Sequence, residues 1–265
     1  MEGSLDFREI KDMDQTANLQ NYEQTVKDMD WKDIEQHFTW SDTGKVNMVH
    51  EAIDRHVEEG KGNKVALIYT DSQREETFTY SELKDLSTRF ANGLRDNGIT
   101  KGDRVFIFMP RSPELYISML GILRIGAIAG PMFEAFMEGA VKERLSDSGA
   151  KAVVTTPELL DRIPDNDLPD LEYVILAGAD ERTKNNQLLF KDLINSEDEH
   201  TIEWVDREDG MMLIYTSGST SKPKGVLQAH DAMLHQYLAG KWVYDLKEDD
   251  VYWCTADPGW VTGTS

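Results

Sequence analysis

Cysteine is almost absent: Cys254 is the only one. No internal disulfide can form, which fits a reducing compartment and sets the expectation of a cytoplasmic protein. Val251, Tyr252 and Trp253 precede it, so Cys254 reads as a buried strand residue, and nothing nearby would lower its pKa enough to make it a nucleophile. Positive charge is also scarce, with 28 Lys and Arg against 49 Asp and Glu, a net charge of −21. A surface of that sign repels phosphate backbones and anionic lipid, which argues against nucleic acid or membrane as the main partner. No apolar run approaches the roughly 20 residues needed to span a bilayer. No basic end followed by an apolar stretch marks a secretory leader. Metal spacing is missing as well: His37, His50, His56, His200 and His235 form no ligand pattern, and His50 and His56 do not share a helix face. No metal site is expected.

What is present is enough apolar material for a sizeable core, 40% of 265 residues, in one large domain or two small ones. Residues 1–40 are polar and acidic, with Trp31, Phe38 and Trp40 spaced among charges. They read as a helical N-terminal extension that docks through a few aromatics. From Asn47 the pattern becomes regular. Asn47 caps a helix to about Glu59, and Gly60 stops it. Val65–Tyr69 and Thr77–Tyr80 read as a hairpin. Thr79 and Glu82 form a capping box, followed by Leu83, Leu86, Phe90 and Leu94 at helical spacing, and Gly98 ends that run. Val105–Met109 is a buried strand. Ser112-Pro113 opens a helix. Further strands are expected at Ile128–Gly130, Val153–Thr155, Tyr173–Leu176 and Met211–Tyr215, with helices at Ala140–Leu145 and near Ala232–Val243. Strands alternating with helices argue an α/β fold with mixed, largely parallel sheets flanked by helices.

The most informative stretch runs from Tyr215 to Val226. It follows an apolar strand and combines Thr216, Ser217, Ser219, Thr220 and Ser221 with Gly218. A turn of this kind presents many donors at short range, and its backbone N–H groups form an anion-binding concavity. Lys222 and Lys224 add point charges, and Pro223 stiffens the exit. Triphosphate is the natural guest. The common nucleotide loop needs Gly-Lys-Ser/Thr four residues after its first glycine. Pro223 breaks that pattern, so a kinase-like or GTPase-like reading drops out. On composition alone a polar surface loop is the commoner explanation.

Thr216–Gly225 is similar to the signature loop of the adenylate-forming (AMP-binding) superfamily, T/S-S-G-S/T-T-G-x-P-K-G, in a strand–loop–helix context. Ser221 stands where glycine is usual. The superfamily includes acyl-CoA synthetases and the adenylation domains that load carrier proteins. Phe78–Leu83, Gly102–Val105 and Pro131–Phe133 extend the likeness, which covers most of the chain from about residue 20. The resemblance implies that residues 41–265 are the first part of the large AMP-binding domain. It further implies ATP contacts from Thr216, Ser217, Gly218, Ser219, Thr220, Ser221, Lys222, Lys224 and Gly225. Lys224 and Thr220 would act in catalysis by neutralising pyrophosphate as it leaves.

Trp253–Gly263 resembles the A-D-x-G-W-V-T-G segment of acetyl-CoA synthetases, in which a Val-Thr pair lines a small acyl pocket. By that resemblance Trp260, Val261 and Thr262 bind the acid. A β-branched pair is stiff and crowds a cavity, while Thr262 offers a hydroxyl to the carboxylate. Val261 and Thr262 are also readable as ordinary strand core. His often follows the last glycine of this segment, and Thr264 stands there instead. His230 could approach the acyl or phosphate site, or serve as a cap or surface residue.

The implied reaction is acetate–CoA ligation. Acetate and MgATP give acetyl-adenylate and pyrophosphate, and CoA then displaces AMP. ATP, Mg2+ and CoA are the expected cofactor and co-substrates. The abrupt end at Trp260–Ser265 sets the expectation of a truncated chain, with the adenine, ribose and magnesium contacts downstream and little activity in residues 1–265 alone. Propionate as the acid, a carrier-loading adenylation domain and an inactive module that recruits a partner are the alternatives. The loop is common to both enzyme families, whereas only the ligase needs the Val261–Thr262 pocket.

Overall fold

The computed structural model describes residues 16–196, 201–216 and 222–264. It opens with α1 (Tyr22–Asp28), α2 (Trp31–Glu35) and α3 (Trp40–Thr43). Asn21 and Asp30 cap the first two, their side chains accepting from the Gln24 and Lys32 amides. Phe38 and Trp40 stack with their ring centroids 4.6 Å apart. Both are buried in a cluster with Ile34, Val46, Val205, Met233 and Leu234, whereas Trp31 is exposed.

Asn47 is fully buried. Its Oδ1 accepts from the Val49 amide at 2.9 Å, and its Nδ2 donates to the Leu123 and Glu203 carbonyls, each at 2.9 Å. The helix that it starts is π-wound at His50–Asp54 and again from Val57, and Gly60, at φ +84° and ψ 10°, is non-helical and breaks it where the sequence placed the stop. β1 (Val65–Thr70) and β2 (Glu75–Thr79) pair antiparallel. The capping box of Thr79 and Glu82 opens α4 (Tyr80–Asp96), which buries Leu83, Phe90, Ala91 and Leu94.

A seven-stranded sheet forms the centre, in the order β7-β6-β5-β3-β4-β8-β9. Its strands are β3 (Arg104–Phe108), β4 (Ile128–Pro131), β5 (Ala152–Thr155), β6 (Tyr173–Leu176), β7 (Gln187–Leu189), β8 (Gly210–Thr216) and β9 (Lys224–Ala229). Every neighbouring pair is parallel except β8 with β9. Parallel strands are covered on both faces and so read as continuous apolar runs. Val105 and Ile107 of β3 enter one core with α4 and α5 (Pro113–Arg124). Phe106 and Phe108 enter another with Val141 and Leu145 of α6 (Glu138–Ser148). Smaller pieces are α7 (Phe190–Leu193), α8 (Ala232–Leu238), a π turn at Ala239–Val243 and α9 (Val261–Thr264). Among the described residues no helix is long and apolar enough to cross a membrane.

The mixed, mostly parallel α/β architecture agrees with the sequence reading, and several details differ. The segment after Lys224 is a strand, so the loop joins two antiparallel strands rather than a strand and a helix. β9 lies at the sheet edge with Val226 and Leu227 exposed, which removes the apolar alternation that would have announced it. β7 is three residues long and equally silent. Ser112 occupies the cap position of α5, but its buried hydroxyl makes no hydrogen bond.

α5 is tied to the helix that begins after Asn47 by a buried ion pair. Arg124 donates to both carboxylate oxygens of Asp54 at 2.8 Å and to the Ser87 hydroxyl at 3.1 Å. The Arg124 and Asp54 side chains are 4% and 6% exposed. Removing one partner of such a pair strands the other charge. Asp54→Ala should therefore lower stability by about 3–5 kcal/mol, read as a urea midpoint. The paired replacement Asp54→Leu with Arg124→Met should recover most of that loss. A loss below about 1 kcal/mol in the single variant would show that the pair carries little.

His230 is fully buried and its Nδ1 accepts from the Met48 amide at 3.3 Å. Burial pushes its pKa down from 6.5 to about 4, against a smaller opposing effect of Asp209. A histidine lowered by folding is neutral in the native state, so its contribution is complete above its unfolded value. It is lost as pH falls from about 6.5 toward 4. At pH ~5 the loss is about 2 kcal/mol by linkage. The stability of His230→Gln should fall less steeply across that window than that of the parent, as urea titrations at a series of pH values will measure.

Candidate functional site

Parallel strands bring all their carboxyl ends to one edge. In an α/β sheet ligands bind outside that edge, where connections leave in opposite directions. Here β3 leaves toward β4 through α5 on one face, and β5 leaves toward β6 through the 3-10 turn Pro157–Arg162 on the other. β8 is parallel to β4, so Thr216 ends on the same edge. β9 returns from it, and Lys224 pairs with Thr216 in register.

The entrance to the loop is pinned. The Tyr215 hydroxyl donates to Asp147 Oδ2 at 2.7 Å, and burial, with help from Asp147, holds its pKa well above the ordinary phenol value. The Arg144 guanidinium lies 4.0 Å above the Phe136 ring and 5.7 Å from the centroid of Tyr215. Burial pulls the Arg144 pKa down. Thr216, Lys222, Lys224 and Gly225 are exposed. Among the described residues neither Lys222 nor Lys224 has an ion-pair partner, which leaves two positive charges unneutralised in an acidic chain. An open cavity of about 400 Å³ beside them is lined by Lys142, Glu143 and Asp147 of α6 together with Lys222 and Pro223. Ser217, Gly218, Ser219, Thr220 and Ser221 lie outside the described residues.

The Trp253–Gly263 segment meets the same edge. Residues 251–255 form no strand, and Val251, Tyr252 and Trp253 are 78%, 53% and 77% exposed. The expected buried strand around Cys254 is therefore absent. Apolar composition marked it, but no neighbouring strand among the described residues pairs with it. Cys254 is half-buried and its thiol donates to the Thr262 carbonyl at 3.1 Å. Asp257 Oδ1 accepts from the Gly259 amide at 2.7 Å. Gly259 sits on the backbone just past β4: a Cβ there would meet Phe133 N at 2.1 Å and the Met132 carbonyl carbon at 2.5 Å. Only glycine permits that approach. The Trp260 ring centroid is 6.3 Å from that of Phe133.

Val261 and Thr262 lie in α9, one helical turn, and not in strand core. Thr262 is exposed, and the side chain of Val261 is outside the described set. The structure thus gathers Thr216, Lys222, Lys224, Trp260 and Thr262 on one edge, across β8 and β4. It does not bring His230 there. β9 runs away from Lys224 toward Ala229, and His230 is buried at the far end of the hairpin. Sequence reasoning missed Arg111, whose guanidinium donates to the Ala256 carbonyl. Its signal was a charged residue between Pro110 and Pro113 at the end of an apolar strand. Asp147, which pins Tyr215, had none.

A comparison with known families matches residues 53–265 to the one described as AMP-binding enzyme. The chain is 57% identical over 249 residues to the acetyl-coenzyme A synthetase of Bacillus subtilis strain 168, covering 93% of this chain and 44% of that protein. It is 35% identical over 263 residues to the acetyl-coenzyme A synthetase of Escherichia coli K12, covering 91% and 40%. An acyl-CoA synthetase of Brucella canis has a similar crystal structure, with TM-score 0.81 and 31% identity, covering 92% of this chain and 44% of that one. The chain spans less than half the length of these relatives. The matched region takes in both the loop after β8 and the segment on Gly259, and on that ground this chain belongs to the AMP-binding enzyme family.

Proposed function

We propose that the protein is an AMP-forming acyl-CoA ligase whose preferred acid is acetate. The observation that carries this reading is the shared edge. The unpaired lysines of the β8–β9 hairpin and the Trp260–Thr262 turn flank neighbouring strands, so a triphosphate and a short acid are held side by side. The names of the similar acetyl-coenzyme A synthetases support the choice of acid.

In the first step a carboxylate oxygen of acetate attacks the α-phosphorus of ATP, and pyrophosphate leaves. In the second the CoA thiolate attacks the acetyl carbonyl, and AMP leaves. Neither step needs a covalent nucleophile from the protein. Positioning and charge neutralisation supply the rate. Magnesium enters as MgATP. Among the described residues no group of three or more His, Cys, Asp or Glu side chains is arranged to hold a metal. We assign triphosphate binding to Thr216–Gly225, with Lys224 and Thr220 acting on the leaving pyrophosphate, and acid binding to Trp260, Val261 and Thr262. The reading is tested by acetate-dependent ATP–pyrophosphate exchange in the full-length protein. Exchange that requires no acid, or none at all with any short acid, overturns it.

Lys224→Ala should slow adenylate formation far more than it slows CoA transfer from preformed acetyl-adenylate, because pyrophosphate leaves only in the first step. Loss of a contact made in the transition state lowers kcat and kcat/KM together. Single-turnover assays of each half-reaction measure the difference, and equal losses in both would make Lys224 structural.

Val261→Ala removes two methyl groups from the assigned pocket. At about 0.8 kcal/mol per buried CH2, the opened space should raise the propionate-to-acetate ratio of kcat/KM a few-fold. Thr262→Val keeps the branching and replaces the hydroxyl, so it should weaken acetate binding without changing that ratio. A falling melting temperature with a constant ratio in Val261→Ala would remove these residues from the pocket.

A further inference from the structure

We infer that Arg111 is a positioning residue for the acid pocket: it clamps the segment carrying Trp260, Val261 and Thr262 to the carboxyl edge of the sheet. The pocket role rests on the assignment of those three residues above. The clamp itself rests on contacts alone.

Arg111 lies in the short link between β3 and α5, three residues past Phe108. Pro110 and Pro113 bracket it, and proline fixes φ, so the link is stiff and the side chain is well aimed. Its guanidinium donates to the carbonyl of Ala256, a residue 145 positions along the chain. Among the described residues Arg111 has no carboxylate partner, and its Nε is buried without a hydrogen bond. A partly buried guanidinium costs free energy, and ion pairing is the usual compensation. Here the compensation is a neutral backbone carbonyl. That bond holds a remote strip of backbone.

Among the described residues that strip also touches the frame through the Trp260 and Phe133 rings, 6.3 Å apart, and through the Tyr252 and Tyr244 rings, 5.7 Å apart. Residues 251–253 are exposed, and Cys254 and Asp257 make contacts within the segment itself. Gly259 rests on Met132 and Phe133, past the end of β4. Arg111 reaches it from the end of the neighbouring strand β3. Gly259 and Trp260 hold the strip past the end of β4, and Arg111 adds a hold from the adjacent strand, which fixes its direction. A pocket that separates acids differing by one methylene has to hold its walls to within about 0.5 Å. The Arg111 bond supplies the second point that such precision needs.

The test compares Arg111→Met, which keeps the stem and loses every donor, with Arg111→Lys, which keeps one charged donor, in the full-length protein. The first readout is amide exchange at Trp260 and Gly263, whose N–H groups donate to Asp257 and Trp260 carbonyls at 3.0 and 2.9 Å. Arg111→Met should speed exchange at both by roughly tenfold, and Arg111→Lys should recover much of the protection. The second readout is kinetic. Arg111→Met should raise the propionate-to-acetate ratio of kcat/KM a few-fold and leave KM for ATP unchanged. Unchanged exchange at both amides overturns the clamp. Faster exchange with a constant acid ratio overturns its role in the pocket. If the parent protein activates no short acid, the ligase reading fails and amide exchange alone decides whether Arg111 holds the segment.

Discussion

The parallel register of β3 with its two neighbours is the constraint on which the rest depends. Ile107 lies opposite Pro131 of β4, and Phe108 opposite Thr155 of β5. Strands so paired all end on one edge, and each must return by a crossover that covers a face. The crossovers bury Val105 and Ile107 on one side and Phe106 and Phe108 on the other. The same register sends the β3–α5 link, the Met132–Phe133 step and the end of β8 to one place. β9 reverses direction and so returns Lys224 to that edge rather than away from it. The candidate site is a consequence of strand direction before any side-chain chemistry is considered.

Charge is used in three different ways around that frame. Most ion pairs are exposed, such as Lys45 with Asp206 at 2.6 Å, and pairs of this kind contribute about 0–1 kcal/mol. Asp54 and Arg124 are buried, bidentate and joined to Ser87, so they fix how two helices meet. Lys222 and Lys224 are unpaired among the described residues. Lys27, Lys32 and Lys241 also lack a carboxylate partner among the described residues, so what sets Lys222 and Lys224 apart is their place beside the carboxyl edge of the sheet. Under the proposed function the two lysines at the carboxyl edge attract the anionic substrate.

Local chemistry was legible and tertiary chemistry was not. The capping box of Thr79 and Glu82, the apolar run of β3 and the cap that Asn47 gives to the following helix follow from neighbours in sequence, whereas the π winding of that helix does not. Thr216–Gly225 stood out because its glycine, hydroxyls and lysines are contiguous in sequence; Ser217–Ser221 lie outside the described residues, and its phosphate contacts stand as the proposal above. β9 was not, because an edge strand with exposed Val226 and Leu227 has no buried face to impose alternation. Cys254 misled for a related reason. Its apolar neighbours suggested a core strand, and burial requires a partner strand that composition cannot supply. His230 misled by proximity: six residues separate it from Lys224, and in an extended strand that distance carries it to the far end of the hairpin. Arg111 meets Ala256 across 145 residues, and no local pattern encodes that contact.

The two kinds of legibility correspond to two kinds of energy. The cores on either side of β3 are held by many apolar contacts, each small, whose sum resists any single change. Among the described residues the edge segment from Cys254 to Gly263 is held instead by a few polar ties, the close approach of Gly259 and the contact of Trp260 with Phe133. A tie of this sort contributes about 0.5–1.5 kcal/mol between neutral groups and about 1.5–3 kcal/mol where one is charged, as at Arg111 and Asp257, and the close approach of Gly259 to Phe133 N fails if a single methyl group is added. Substitutions on the edge therefore change the direction of the Trp260 turn well before they threaten the sheet. Under the proposed function that separation lets the acid pocket be adjusted by small energies while the frame that carries it stays indifferent to them.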